Sequence, residues 1–173
     1  SLKMGSQGFK MNIENVRKEF PVTEQLIFFD HARVAPLPER VRKVVTAFVD
    51  DATRFGTAHY ENWIEEIGQA RKNFARLINA STDEVAFVKN TSEGLAIVAN
   101  GLDWQSGDNV VIPDIEFPAN VYPWWNLKRL GVETRMVKAV AGRVLFDDMV
   151  KQVDARTRLI SISSVECNSG FRN

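Results

Sequence analysis

The sequence predicts an α/β fold with a mostly parallel sheet, preceded by N-terminal helices. Three patterns carry that expectation. Short, nearly continuous apolar runs (VAFVK, NVVIP, RLISISSV) alternate with helix-length segments, as strands do when helices cover both faces of a sheet. Two long stretches with apolar residues at helical spacing come before them. The composition, 45% apolar and 25% charged over 173 residues, is that of an ordinary globular chain, long enough at roughly 150 residues per domain to bury one core.

The elements follow in order. Residues 1–12 show no clear periodicity, lack the apolar stretch of a signal peptide, and are expected to be a tag or disordered. Residues 13–80 form a helical segment. Within it the apolar run Leu26–Asp30 leads into a stretch that Pro36 and Pro38 keep extended or turned. Val41, Val44, Val45, Phe48, Val49, Ala52 and Phe55 then mark a helix that Gly56 ends. A second helix runs from about His59 to Ile78, with Trp63, Ile64, Ile67, Phe74, Leu77 and Ile78 on one stripe. From residue 81 strands are expected at Val85–Lys89, Asn109–Pro113, Glu133–Ala139 and Arg158–Val165. Helices are expected at Gly94–Leu102 (starting as early as Thr91), near Asn120–Leu130 and near Asp147–Val153. In such a fold ligands sit at the carboxyl ends of the strands.

Composition and charge exclude several classes. Lys plus Arg and Asp plus Glu both number 22, and no basic block occurs, which argues against nucleic acid or an anionic membrane as partner. No apolar run reaches the ~18 residues of a membrane span. One cysteine, Cys167, excludes an internal disulfide framework, and two histidines exclude a three-histidine metal site. A lone cysteine fits a reducing, cytoplasmic setting.

Three places could carry chemistry. The turn Asn90–Gly94 lies between a predicted strand and a predicted helix. A helix beginning there offers unpaired N–H groups and a favourable dipole to an anion, with Thr91 and Ser92 adding hydroxyls and Gly94 permitting close approach. The same residues also make an ordinary N-cap. The segment Ile115–Trp125 sets Phe117, Tyr122, Trp124 and Trp125 at the end of the second strand, to stack on a flat ligand or to pack in the core. After the last strand come Glu166, Cys167, Asn168 and Arg172. Cys167 could attack a substrate or be a small buried residue, and Arg172 could clamp a carboxylate or lie in solvent. His31, beside Asp30 in a Pro-flanked loop, could touch substrate or be a hydrogen-bonded loop residue. No Walker A loop, dinucleotide fingerprint or GxSxG elbow occurs.

In this order the segments resemble the class V aminotransferase family, pyridoxal-phosphate enzymes of fold type I that include cysteine desulfurases, selenocysteine lyases and isopenicillin N epimerase-like proteins. LIFFDHARVAPLP is similar to the family's YLDNAATAPLP, VAFVKNTSEGLAIVANGL to its phosphate-binding segment, IPDIEFPANVYPWW to EHHANIVPW, and TRLISISSVECNSGFRN to TRLVSISHVSN..G. The resemblance spans residues 13–173. It implies that 81–173 is the first part of a pyridoxal-phosphate-binding α/β domain, in other words a partial large domain of the transferase fold.

The resemblance also implies roles. Thr91 and Ser92 would hold the cofactor phosphate. Phe117 stands where desulfurases have the histidine that stacks on the pyridine ring, and a Phe can stack there but cannot shuttle a proton. Cys167 stands where they have an Asn contacting the ring hydroxyl, with Asn168 adjacent. His31 and Ala32 lie in the loop that approaches an amino-acid substrate, and relatives are homodimers. The reaction type stays open among desulfurase-like lyase, transaminase and epimerase chemistry. Neither the Asp-x-x-Gln that engages the pyridine nitrogen nor the Ser-x-His-Lys that supplies the Schiff-base lysine occurs in these residues. The chain alone is therefore expected not to turn over, and VAFVK, whose sheet partners come late in relatives, is expected to lack them here. A noncatalytic relative binding a phosphate ligand or partner chain, and an unrelated α/β interaction module, remain as alternatives.

Overall fold

The computed structural model describes residues 12–31 and 34–173. They fall into two compact units that divide between Val85 and Ala86.

The first unit is helical. Helix α1, Ile13–Lys18, is capped by Asn12, whose side chain accepts from the Asn15 N–H. Helix α2, Glu39–Phe55, starts after Pro38 and stops at Gly56, whose φ of 58° favours glycine. The Glu19 carboxylate at the end of α1 takes the Arg40 Nε at 3.0 Å. Helix α3, Tyr60–Ile78, ends on Asn79 in the left-handed region, which Asn tolerates better than most residues. One carboxylate ties α2 to α3: Asp51 meets His59 Nδ1 at 2.7 Å and accepts from Trp63 Nε1 at 3.1 Å. The Phe48 and Trp63 rings pack edge to face beside it. Most of the two apolar stripes stays exposed, and Ala75 is the one fully buried position of α2 and α3.

The expected strand at Val85–Lys89 does not form. Val85 keeps extended dihedrals, but 85–89 enters no ladder. A strand exists only through its neighbours, and the three strands that do form hydrogen-bond to one another instead.

In the second unit, helix α4 covers Thr91–Gly101, followed by β1, Asn109–Pro113, buried at every position. The helix expected near 120–130 is broken into three pieces: a 3₁₀ turn at Pro118–Asn120, a single turn α5 at Tyr122–Trp125, and a 3₁₀ turn at Asn126–Leu130. Pro123 accounts for the break before α5, since its ring would strike the carbonyl four residues back in a continuous helix. Gly131, with φ 77°, closes the segment, and a Cβ there would lie 2.5 Å from Ser106 Oγ. Strand β2, Glu133–Val137, helix α6, Phe146–Val150, and strand β3, Thr157–Ile160, complete the unit.

The sheet order is β2-β1-β3, all parallel. Side chains alternate across β1. Val110 and Ile112 pack with Ala99, Val121, Trp124, Leu127 and Val132 on one face. Val111 packs with Val137, Val144 and Met149 on the other. The expected strand through Val165 stops early. Ser161 N donates to the Val111 carbonyl, and the next rung would need an N–H from Pro113, which has none. Strand β2 stops before Ala139 because that N–H turns to the Asp114 carboxylate at 2.8 Å.

Asp154 organises the amino edge of the sheet. It accepts from Arg135 Nη1 at 2.7 Å, from Asn109 Nδ2 at 3.0 Å and from the Arg156 N–H at 2.8 Å. The Arg135 guanidinium first, then these donors, hold its carboxyl down at about 2, against an ordinary 3.8. A carboxylate whose folded value is depressed contributes stability above the unfolded value and loses it as pH falls to the folded one. Urea melts at stepped pH should therefore show stability declining between about 4 and 2, with Asp154→Asn less stable at neutral pH and flatter across that window.

Candidate functional site

The carboxyl edge of the sheet gathers most of the residues of interest. Helix α4 leads through Leu102–Asp108 to the amino end of β1, so its first turn points toward the opposite edge. The helix packs on the Pro118–Asn120 turn. Asn90 caps α4 by accepting from the Glu93 N–H at 2.9 Å. Glu93 reaches back to the Lys89 N–H at 2.6 Å and pairs with Lys89 Nζ. Thr91 and Ser92 form the exposed first turn. Their N–H groups precede the first intrahelical bond, and among the described residues no hydrogen bond engages either hydroxyl. Gly94 does not open the site, because its missing Cβ would make ordinary contact with Val88 Cγ2 at 3.6 Å. It therefore faces the chain that precedes the helix.

The segment leaving β1 alternates between buried and exposed. Glu116 is buried, and its two oxygens accept from the Ser163 N–H at 2.6 Å and the Ser163 hydroxyl at 2.7 Å. Phe117, next to it, is 54% exposed at the head of the 3₁₀ turn, open to a flat ligand rather than packed in the core. Asn120 is buried again; its Oδ1 accepts from Trp124 Nε1 at 3.0 Å and from the Ser161 hydroxyl. Side chains from the β1 side thus replace the ladder that Pro113 ends, and they hold Ser161 and Ser163 beside it. Trp124 is core, 1% exposed, while Tyr122 and Trp125 form an exposed edge-to-face pair.

After β3 the chain closes a turn. The Glu166 N–H donates to the Phe171 carbonyl at 2.8 Å, and the Gly170 N–H to the Glu166 carbonyl at 2.9 Å. Cys167 and Asn168 are exposed at its tip, so Cys167 is not a small buried residue. The Arg143 guanidinium lies over the Phe171 ring, and Arg172 is exposed, with its backbone bridged to Val165. Asn173 Nδ2 joins the Ser163 carbonyl at 2.8 Å to Glu166 Oε1 at 2.6 Å. Burial first, and then the charge of Glu116, push the Glu166 carboxyl above its usual value against the Asn173 hydrogen bond.

The second unit therefore holds Thr91, Ser92 and Phe117 at element ends and Cys167 and Asn168 at the tip of a turn. His31 belongs to the first unit, where it is exposed and meets the Phe28 ring edge to face. Ala32 lies outside the described residues. Sequence patterns missed Glu116, Asn120, Ser161 and Ser163, the frame beneath these groups. One signal was available: an acidic residue between Ile115 and Phe117, which the apolar context made a candidate for burial. An open cavity lined by Trp125, Lys128, Gly131, Val132, Glu133 and Thr134 lies at the other end of β2, away from this edge. Among the described residues no acidic, His or Cys cluster could hold a metal ion, and no helix is long and apolar enough to cross a membrane.

The family model Aminotransferase class-V matches residues 27–173. A probable cysteine desulfurase of Methanothermobacter thermautotrophicus is 36% identical over 160 residues, covering 90% of this chain and 40% of that protein. A cysteine desulfurase of Salmonella typhimurium is 32% identical, covering 93% of this chain and 44% of its own. Among solved structures, a C-DES mutant with glycine covalently linked to its pyridoxal-phosphate cofactor superimposes with a TM-score of 0.83 at 23% identity, over 90% of this chain and 42% of that one. Cysteine desulfurase from Thermococcus onnurineus gives 0.73 at 25% identity, over 88% and 40%. The chain thus spans about two fifths of the length of these relatives.

The polar frame yields a direct expectation. Asn120→Ala leaves Trp124 Nε1 and the Ser161 hydroxyl without their acceptor. Denaturant unfolding should show a loss of about 1–3 kcal/mol, accompanied by a change in tryptophan emission. An unchanged midpoint would mean that the frame is not structural.

Proposed function

The chain belongs to the class V aminotransferase family, and on that premise we propose that it forms the phosphate-holding part of a pyridoxal-phosphate enzyme acting on an amino acid. The observation that supports this reading is the exposed first turn of α4, whose two hydroxyls no described residue engages, on a helix that packs on the turn headed by the exposed Phe117 ring. Those groups fit a flat, phosphate-bearing molecule: Thr91 and Ser92 would bind its phosphate, and Phe117 would stack on its ring. The bound cofactor supplies an electron sink for the bonds at a substrate's α-carbon. The protein's share at this edge is to bind and orient. Phe117 holds a plane without moving a proton, so proton transfer falls to a group elsewhere.

Cysteine is the first substrate to test, because that is what the relatives' names specify. The turn bearing Cys167 and Asn168 is proposed to face the ring's polar substituents, and the loop with His31 and Ala32 to approach the substrate. We further propose that turnover needs a lysine from outside these residues, since they contain no Ser-x-His-Lys segment. A homodimer and a cytoplasmic location are also proposals, supported by the family resemblance and by the single cysteine.

The test uses pyridoxal 5′-phosphate and phosphate-free pyridoxal, titrated against this chain and followed by tryptophan quenching. The phosphate ester should bind more tightly than pyridoxal. Thr91→Ala and Ser92→Ala should each weaken the ester about tenfold, the worth of a hydrogen bond to a charged group, and leave pyridoxal unchanged. Phe117→Ala should weaken both ligands about fivefold. Equal binding of ester and pyridoxal, or variants without effect, would overturn the reading.

A further inference from the structure

Glu166 stands apart from every other side chain in the second unit. It is 1% exposed, and one oxygen, Oε2, is buried with no hydrogen-bond partner among the described residues. Its other oxygen takes the Asn173 amide, which also bonds the Ser163 carbonyl. Ser163 in turn is gripped by both oxygens of Glu116. Two buried carboxyls are thus linked through Ser163 and Asn173, and among the described residues no cationic side chain pairs with either. An ionised, half-satisfied carboxylate in such a place costs far more than a buried neutral acid short of one hydrogen bond.

We propose that Glu166 is a positioning residue whose buried carboxyl fixes the turn carrying Cys167 and Asn168 against the segment that leaves β1. The backbone bonds from Glu166 to Phe171 and from Gly170 back to Glu166 close the turn on this carboxyl, so the tip residues are aimed by it while they remain in solvent. The group that faces Glu166 from the β1 segment is Glu116, whose charge opposes ionisation of Glu166. Cys167 and Arg172 are its titratable neighbours on the turn itself. With the folded carboxyl raised above its unfolded value, the neutral state binds the extra proton in the folded form. The turn is then fully held below the unfolded value and loosens as pH rises through the folded one. The inference rests on the cofactor reading only for what the turn serves. Its test needs no cofactor, so the two fail separately.

The experiment is amide hydrogen exchange at Glu166 and Gly170 of this chain from pH about 4 to 8, expressed as protection over intrinsic rates. In the unsubstituted chain protection should fall about tenfold across the titration of Glu166, followed in parallel by its carboxyl carbon resonance. Glu166→Gln, which keeps the shape of the neutral acid, should hold protection flat over the whole range. Glu166→Ala should lose it at every pH. The proposal is overturned if Glu166→Gln follows the same pH profile as the unsubstituted chain, if it is as unprotected as Glu166→Ala, or if the carboxyl titrates like a solvated glutamate.

Discussion

Because Val110, Val111 and Ile112 are wholly inaccessible, β1 must have apolar cover on both faces and a hydrogen-bonded strand on each side. An uncovered face would leave apolar surface in water, and an unpaired edge would leave amides that water cannot reach. Helix α4, α5 and the turns around α5 supply one cover; Val144 and Met149, the latter on α6, supply the other. The parallel order β2-β1-β3 follows, since both neighbours enter through helical crossovers. What is left over is polar, and it collects at the two ends of the strands.

Those ends solve the same problem in opposite ways. At the amino edge Asp154 is surrounded by Arg135 and N–H donors, which favour its ionised form. At the carboxyl edge Glu166 meets burial and a second carboxylate, which favour its neutral form. The difference is one of neighbours rather than residue type. The first arrangement ties loops together beside an arginine. The second holds a carboxyl under an exposed turn with its hydrogen-bonding capacity incomplete, an arrangement common where a fold presents groups to a ligand.

Much of the architecture was legible in periodicity. NVVIP forms the expected strand because five consecutive apolar or edge-capping residues suit burial on both faces, and the amphipathic spacing around Phe48 and Trp63 gives α2 and α3 with ends at Gly56 and Asn79. The misses have local causes. VAFVK has strand composition, but composition cannot create a pairing partner. The Asn120–Leu130 pattern has helical spacing, yet Pro123 divides it. RLISISSV reads as one long strand, but the ladder ends on a prolyl nitrogen that belongs to another strand, a fact no single window contains. Thr91, Ser92 and Phe117 could be singled out because they follow predicted strands. Glu116 offered only its apolar flanks as a hint of burial, and Asn120 offered nothing, because their partners Ser163 and Ser161 lie more than forty residues away.

Pro113 links these observations. Had the β1–β3 ladder continued, backbone would have satisfied the Ser163 N–H, leaving only the hydroxyls of Ser161 and Ser163 to be met by side chains from the opposite segment. With the rung removed, Glu116 and Asn120 must turn inward to meet them. Phe117 and Pro118, where the chain leaves Glu116 and enters the 3₁₀ turn, are left exposed. The accessible ring at the strand edge is therefore a consequence of how the sheet ends. Because the ending of the sheet itself builds it, a flat molecule would find the surface in place and would bind without the cost of ordering it.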